Sequence, residues 1–246
     1  MSALQGGNAP GHLCNRRWLS KVIARFGVQA KQAEADPTGD AAERMRQASK
    51  SCDKEESARP RPTMLPGLTY AGLVAWARRT FGSLDPLRVV ARFAIYQGTK
   101  EDGSPKYRGI DDGKANGMNA ATTTWETLAC ITFIWPITVA RAFIAAYRRL
   151  GIRPRALWLG LDDLRHAYRT VPNSQLHFSV VACWHTVRQC VMFYRLPAHS
   201  FGYVASVLNF ASLPHFVCFV CMTFFAVVVD HFVDDHCVVD LSLIHI

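Results

Sequence analysis

The first regular pattern along the chain lies between residues 12 and 28. There Leu19, Val22, Ile23 and Phe26 recur at helical spacing among Arg16, Arg17, Lys21 and Arg25, which predicts a short basic amphipathic helix. Residues 30–62 are polar, mixed in charge and poor in large apolar side chains, and Pro60, Pro62 and Pro66 punctuate their end. That composition reads as a flexible linker, with the folded part starting near Pro66. From Tyr70 the pattern changes. Leu73 to Phe81 predicts a helix with Arg78 and Arg79 facing outward, and Val89 to Tyr96 predicts a strand. A polar turn with Gly98, Gly103 and Pro105 leads into the glycine-containing segment from Lys106 to Asn119. Thr124 to Tyr147 is mostly apolar with Pro136 inside it, and Ala156 to Leu161 is a short run that reads as a buried strand. Phe178–Trp184 and Cys190–Leu196 predict further strands, Val204–Phe225 is apolar and helical in part, and Ala226–Asp235 is β-branched.

Two of these apolar runs end in an acidic pair, Asp162-Asp163 and Asp234-Asp235. Placing several carboxylates side by side is costly unless a cation neutralises them. Hard cations such as magnesium take oxygen ligands, commonly one or two carboxylates together with substrate phosphates. A pair of such ions can activate a hydroxyl nucleophile and stabilise a leaving pyrophosphate. A single Asp-Asp pair is more often a helix cap or a solvated end, so the doublets gain meaning only from their surroundings.

Charge and composition narrow the partners. Lys and Arg number 28 against 19 Asp and Glu, a formal net charge of +9, which suits a polyanion such as nucleic acid or an anionic membrane surface. Half the residues are hydrophobic, so most of the chain is expected to fold. The eight cysteines are irregularly spaced and the N-terminus has no apolar core of the secretory kind, which points to reduced thiols and an intracellular location. No Gly-x-Ser-x-Gly elbow or glycine-rich phosphate loop is present, and Asp111-Asp112-Gly113 has no ordered series of later oxygen ligands for calcium. Cys218-x-x-Cys221 with His231 and His236 is loosely like a zinc site, but the stretch between is too apolar and β-branched for a finger helix.

Four motifs in order resemble those of the reverse transcriptase family, over roughly Arg92 to Asp240. Lys106–Asn119 (KYRGIDDGKANGMN) is similar to the fingers segment. Asp163-Leu-Arg-His-Ala167-Tyr168-Arg-Thr-Val171-Pro172 is similar to the first catalytic motif. Tyr194-Arg-Leu196-Pro197, followed by Phe201-Gly202, is similar to the Leu-Pro-Phe-Gly motif, and Phe232-Val233-Asp234-Asp235 to the Tyr-x-Asp-Asp box. The resemblance implies an α+β fold of reverse-transcriptase-like fingers and palm, with an antiparallel palm sheet and packed helices. The activity implied is that of an RNA-directed DNA polymerase, nucleotidyl transfer to a primer 3′-end with two Mg2+ ions, Mn2+ being the alternative. It makes Asp163, Asp234 and Asp235 the catalytic metal carboxylates, with the backbone carbonyl of Leu164 completing a metal shell. Counting back from Ala167-Tyr168 selects Asp163 over Asp162, whose side chain falls on the opposite face of a strand. Lys106 and Arg108 match positions that hold the incoming triphosphate. Tyr168 matches the residue under the sugar, where a ring would disfavour a 2′-hydroxyl, and Pro197, Phe201 and Gly202 match template and nucleotide contacts. Implied partners are an RNA or DNA primer-template and deoxynucleoside triphosphates.

The chain departs from the family in three places. Ala198-His199-Ser200 separates Pro197 from Phe201-Gly202, which lengthens that loop or marks a damaged copy; Phe232 replaces the usual tyrosine; and no thumb is evident after Asp235. The expectation is a retrotransposon-type fragment, weakly active or inactive. Its parts would be a basic segment and linker at 1–65, a fingers-like region at 66–154, a palm-like region at 155–240 and a tail at 241–246 of doubtful nativeness. The competing reading is an integral membrane protein with apolar spans at 128–147 and 204–229, the second lacking Lys, Arg, Asp and Glu from Val204 to Val229.

Overall fold

A computed structural model describes residues 16–58, 62–120, 122, 131–132, 134–153, 156–164 and 167–240. The expected tail at 241–246, the N-terminal residues 1–15 and much of the apolar stretch 123–133 lie outside the described residues. The fold is α+β. Among the described residues it has five α-helices, a mixed four-stranded sheet and a three-stranded antiparallel sheet. The chain forms two compact units: a first unit of residues 1–123 and 168–206, and a second of residues 124–167 and 207–246.

The first unit is built on strands β1 (Val89–Thr99), β2 (Pro105–Asp111), β4 (Val180–His185) and β5 (Cys190–Arg195), in the order β2-β1-β4-β5. β1 and β2 form an antiparallel hairpin, as do β4 and β5, and the two hairpins join through a parallel β1–β4 pairing, Val89↔Val180 to Ala91↔Ala182. Phe178–Trp184 and Cys190–Leu196, expected in an antiparallel palm sheet, therefore belong to the same sheet as Val89–Tyr96. Alternation marks a strand but does not name its partner.

Helices α1 (Arg16–Ala35), α2 (Asp40–Glu56) and α3 (Tyr70–Phe81) complete this unit. Thr69 caps α3 by accepting the Gly72 amide, and Gly82 closes it in the left-handed conformation with φ 78°. α2 corrects the linker expectation for residues 30–62. Its inward residues are Ala42, Met45, Ala48, Ser49 and Cys52, a helical stripe made mostly of small side chains. Low bulk hydrophobicity hid the period. One apolar cluster gathers Leu19, Val22 and Phe26 of α1 with Leu73 and Trp76 of α3 and Val89, Val180 and Phe193 of the sheet. A second gathers Ala48 and Cys52 of α2 with Met64, Val90, Val181, Met192 and Tyr194.

The second unit contains β3 (Trp158–Asp163), β6 (Val228–Phe232) and β7 (Asp235–Asp240) in the order β3-β7-β6, together with α4 (Ile134–Arg149) and most of α5 (Val204–Phe225). Ala156–Leu161 was expected as a buried strand; β3 is instead an exposed edge strand, with Leu159 58% and Leu161 77% exposed. β3 has only β7 beside it, and none of its residues is buried on either face. Pro136 falls in the first turn of α4, where a missing amide hydrogen costs no helical hydrogen bond.

Candidate functional site

β3 and β7 run antiparallel with Asp163 opposite Asp235, and Asp162 opposite His236. β7 also pairs with β6, Phe232 standing opposite Asp235, so Val233 and Asp234 form the tip of a hairpin. Val233 sits at φ 58°, a region that a β-branched residue rarely occupies. The Leu164 amide donates to the Asp234 carbonyl at 3.1 Å, tying the end of β3 to that tip. By strand alternation Asp163 and Asp235 share one face of the sheet and Asp162 lies on the other. The Leu164 carbonyl accepts the Ala167 amide at 3.0 Å, which leaves one lone pair.

This is a crowded acidic corner. Burial, then the neighbouring Asp234 and Asp163 charges, raise the Asp235 carboxyl above the ordinary carboxylate range, with His236 opposing. A cation placed there would relieve the repulsion, so the donor set suits a hard divalent ion. The backbone register brings the acids together, yet among the described residues no three His, Cys, Asp or Glu side chains converge to hold a metal. Side-chain rotation would have to complete the site. The same finding weighs against the zinc arrangement of Cys218, Cys221, His231 and His236. Burial, Asp230 and Cys221 push the Cys218 thiol up to about 11, the reverse of a thiolate prepared for metal.

The remaining expected residues lie in the first unit. Lys106 and Arg108 are exposed and alternate with Tyr107 along β2, so they project from one face of the β1–β2 hairpin. The Tyr168 ring meets the Phe201 ring edge-on at 5.0 Å. Pro197 accepts the Asn173 amide at 2.8 Å, and the adjacent Pro172 and Ala198 form a bridge. Gly202 has φ 102°, and a Cβ there would collide with the Asp111 carbonyl oxygen, so only glycine fits. Asn119 grips this loop from both sides, donating to the Gly202 carbonyl at 2.9 Å and accepting the Val204 amide at 3.0 Å.

Sequence reasoning missed a buried ionic knot beneath these residues. Arg92 forks onto Asp111, Nε to Oδ1 at 2.7 Å and Nη2 to Oδ2 at 3.0 Å, and its Nη1 reaches Glu55 at 2.7 Å. Arg169 pairs with Glu55 at 2.9 Å and with Asp111 at 3.5 Å, donates to the His199 carbonyl at 2.9 Å, and lies over the Phe201 ring at 5.6 Å. The Ser200 hydroxyl donates to Asp111. Burial would raise the Asp111 carboxyl, but Arg92, Arg169 and Ser200 together hold it below the ordinary range. His199 and Ser200 are thus built into the fold. A charged Arg92 between Val90 and Ala94 on an apolar strand was the visible signal.

α5 is long and apolar enough to cross a membrane, with mean hydropathy 1.8 over an apolar window that is 28% buried. Pro214 lies inside it, and Phe216, Phe219, Phe224 and Phe225 are exposed. No protein-family model matches the chain, and no curated protein matches it.

Proposed function

We propose that this chain carries the fingers and palm of a reverse-transcriptase-like polymerase, transferring a deoxynucleotide to a primer 3′-end. One observation carries the reading: Asp163 stands opposite Asp235 in antiparallel register, with Asp234 at the hairpin tip beside them. Acids distant in sequence meet at one strand end, and Asp235 carries the electrostatic mark of that meeting. Asp163 and Asp234 would hold magnesium, with Asp235 beside them. Bound there, the metal would activate the primer hydroxyl and neutralise charge on the departing pyrophosphate. Lys106 would meet the triphosphate as a point charge and Arg108 as a planar fork. Tyr168 would close the space where a ribose 2′-hydroxyl would sit, and Pro197, Phe201 and Gly202 would contact template and nucleotide. A basic chain suits the polyanionic primer-template.

Mn2+ titration followed by NMR tests the site without requiring turnover. Signals of residues 162–164 and 234–236 should broaden first, and Asp234→Asn should weaken binding. Changes behind metal ligands already cost about 10–100-fold in affinity, so losing a ligand should cost at least that. Equal Mn2+ broadening in wild type and variant would overturn the reading. Primer extension on an RNA template, compared between the same two chains, then tests the chemistry.

A second reading, a membrane-embedded chain, is favoured by the exposed phenylalanines of α5. An obligate need for detergent during extraction is the result that would support it.

A further inference from the structure

The ionic knot joins five separate segments: Glu55 on α2, Arg92 on β1, Asp111 at the end of β2, Arg169 after the catalytic-motif aspartate, and Ser200 in the 197–202 loop. Buried ion pairs are weak sources of net stability, since apolar residues of similar volume often serve as well. What the knot supplies is fixed geometry. Arg169 has a side chain 2% exposed and is engaged by Glu55, Asp111 and the His199 carbonyl, while its planar group lies over Phe201. Tyr168, its immediate neighbour, meets the edge of the same Phe201 ring at 5.0 Å. Arg169 and Tyr168 thus meet the same Phe201 ring, and the guanidinium lies 3.5 Å from Asp111, which terminates the strand bearing Lys106 and Arg108.

We infer that Arg169 is a positioning residue that fixes the Tyr168 ring against Phe201 and so sets the preference for deoxynucleoside over ribonucleoside triphosphates; this rests on the polymerase reading above. Arg169 acts through Phe201 and Tyr168 rather than by touching substrate. Methionine at 169 would keep the apolar stem and lose the planar group. Lysine would keep the charge but lose the flat surface over the ring and the separate reach of Nη1 to the His199 carbonyl and Nη2 to the carboxylates.

The test is calorimetric binding of dATP and ATP to the full chain with Mg2+, reported as the ratio of the two Kd values, with thermal stability measured in parallel. A site that rejects an added hydroxyl by shape discriminates by about tenfold to a hundredfold. Arg169→Met should collapse most of that ratio, and Arg169→Lys should reduce it while retaining fold. Tyr168→Ala is the reference for complete loss. A variant with lower Tm and an unchanged ratio would show a purely structural arginine and overturn the inference. Should Arg169→Met not fold, an unchanged ratio in Arg169→Lys overturns it equally. If wild type binds neither nucleotide, or binds both regardless of Lys106→Ala, Arg108→Ala and Tyr168→Ala, the polymerase reading fails. If those three variants matter and Arg169 does not, only the inference fails.

Discussion

The two units place their aspartates in opposite circumstances. In the first, Asp111 is fully buried and answered by Arg92, Arg169 and Ser200, and its carboxyl is held below the ordinary range. In the second, Asp235 is mostly exposed, stands beside Asp163 and Asp234, and is raised above that range. Two residues of one type thus shift in opposite directions. The difference separates an acid whose counter-charge comes from the chain itself from acids whose nearest strong neighbours carry the same sign. The first arrangement builds structure, whereas the second suits the binding of a cation.

The largest expected effect breaks the first arrangement. Asp111→Asn leaves Arg92 buried with its forked partner gone, and breaking such a pair costs about 3–5 kcal/mol in denaturant unfolding. The acid limb follows from the same shift. Asp111 has a lower pKa folded than unfolded, so its contribution is present above the unfolded value of 3.8 and is lost as pH falls through the folded one. An Asp111→Asn chain with wild-type stability and wild-type acid sensitivity would sink the comparison.

Next comes core against surface. Leu73 is fully buried in the first unit, and Leu73→Ala should cost about 2–5 kcal/mol. Phe219 on α5 is 56% exposed, and Phe219→Ala should fall within about 0.5 kcal/mol in aqueous buffer. A loss at Phe219 as large as at Leu73 would mean that something covers α5 in solution.

The smallest effect concerns the acidic corner. Asp234→Asn removes a neighbouring charge and should lower the Asp235 carboxyl towards 3.8, read by NMR titration. Because Asp235 has a raised folded pKa, its ionisation costs stability as pH rises from the unfolded value to the folded one. The variant should flatten that slope, and the change stays small because the group is solvated. An unmoved titration midpoint would show that Asp234 and Asp235 do not interact.

How much of this could be read from the sequence depended on range. β1 and α3 announced themselves by period, and the acidic doublets by standing at the ends of apolar runs. Strand alternation places Asp163 and Asp162 on opposite faces, while the choice of Asp163 comes from the resemblance, by counting back from Ala167-Tyr168. α2 escaped because Ala42, Ala48 and Ser49 carry a helical stripe without large side chains. The union of β4 with β1 escaped because a parallel pairing between residues near 90 and near 180 leaves no local trace. Arg92 escaped as a site residue because its partners Glu55 and Asp111 sit on other elements, and only folding introduces them.

Val233 adds a consequence of another kind. At φ 58° the hairpin tip asks for glycine, asparagine or aspartate, and the chain supplies a β-branched residue. Selection for folding alone, applied to a library randomised at that position, would drift away from valine. Val233→Gly should therefore relax the tip and raise stability, so the backbone cost of valine at position 233 can be measured directly.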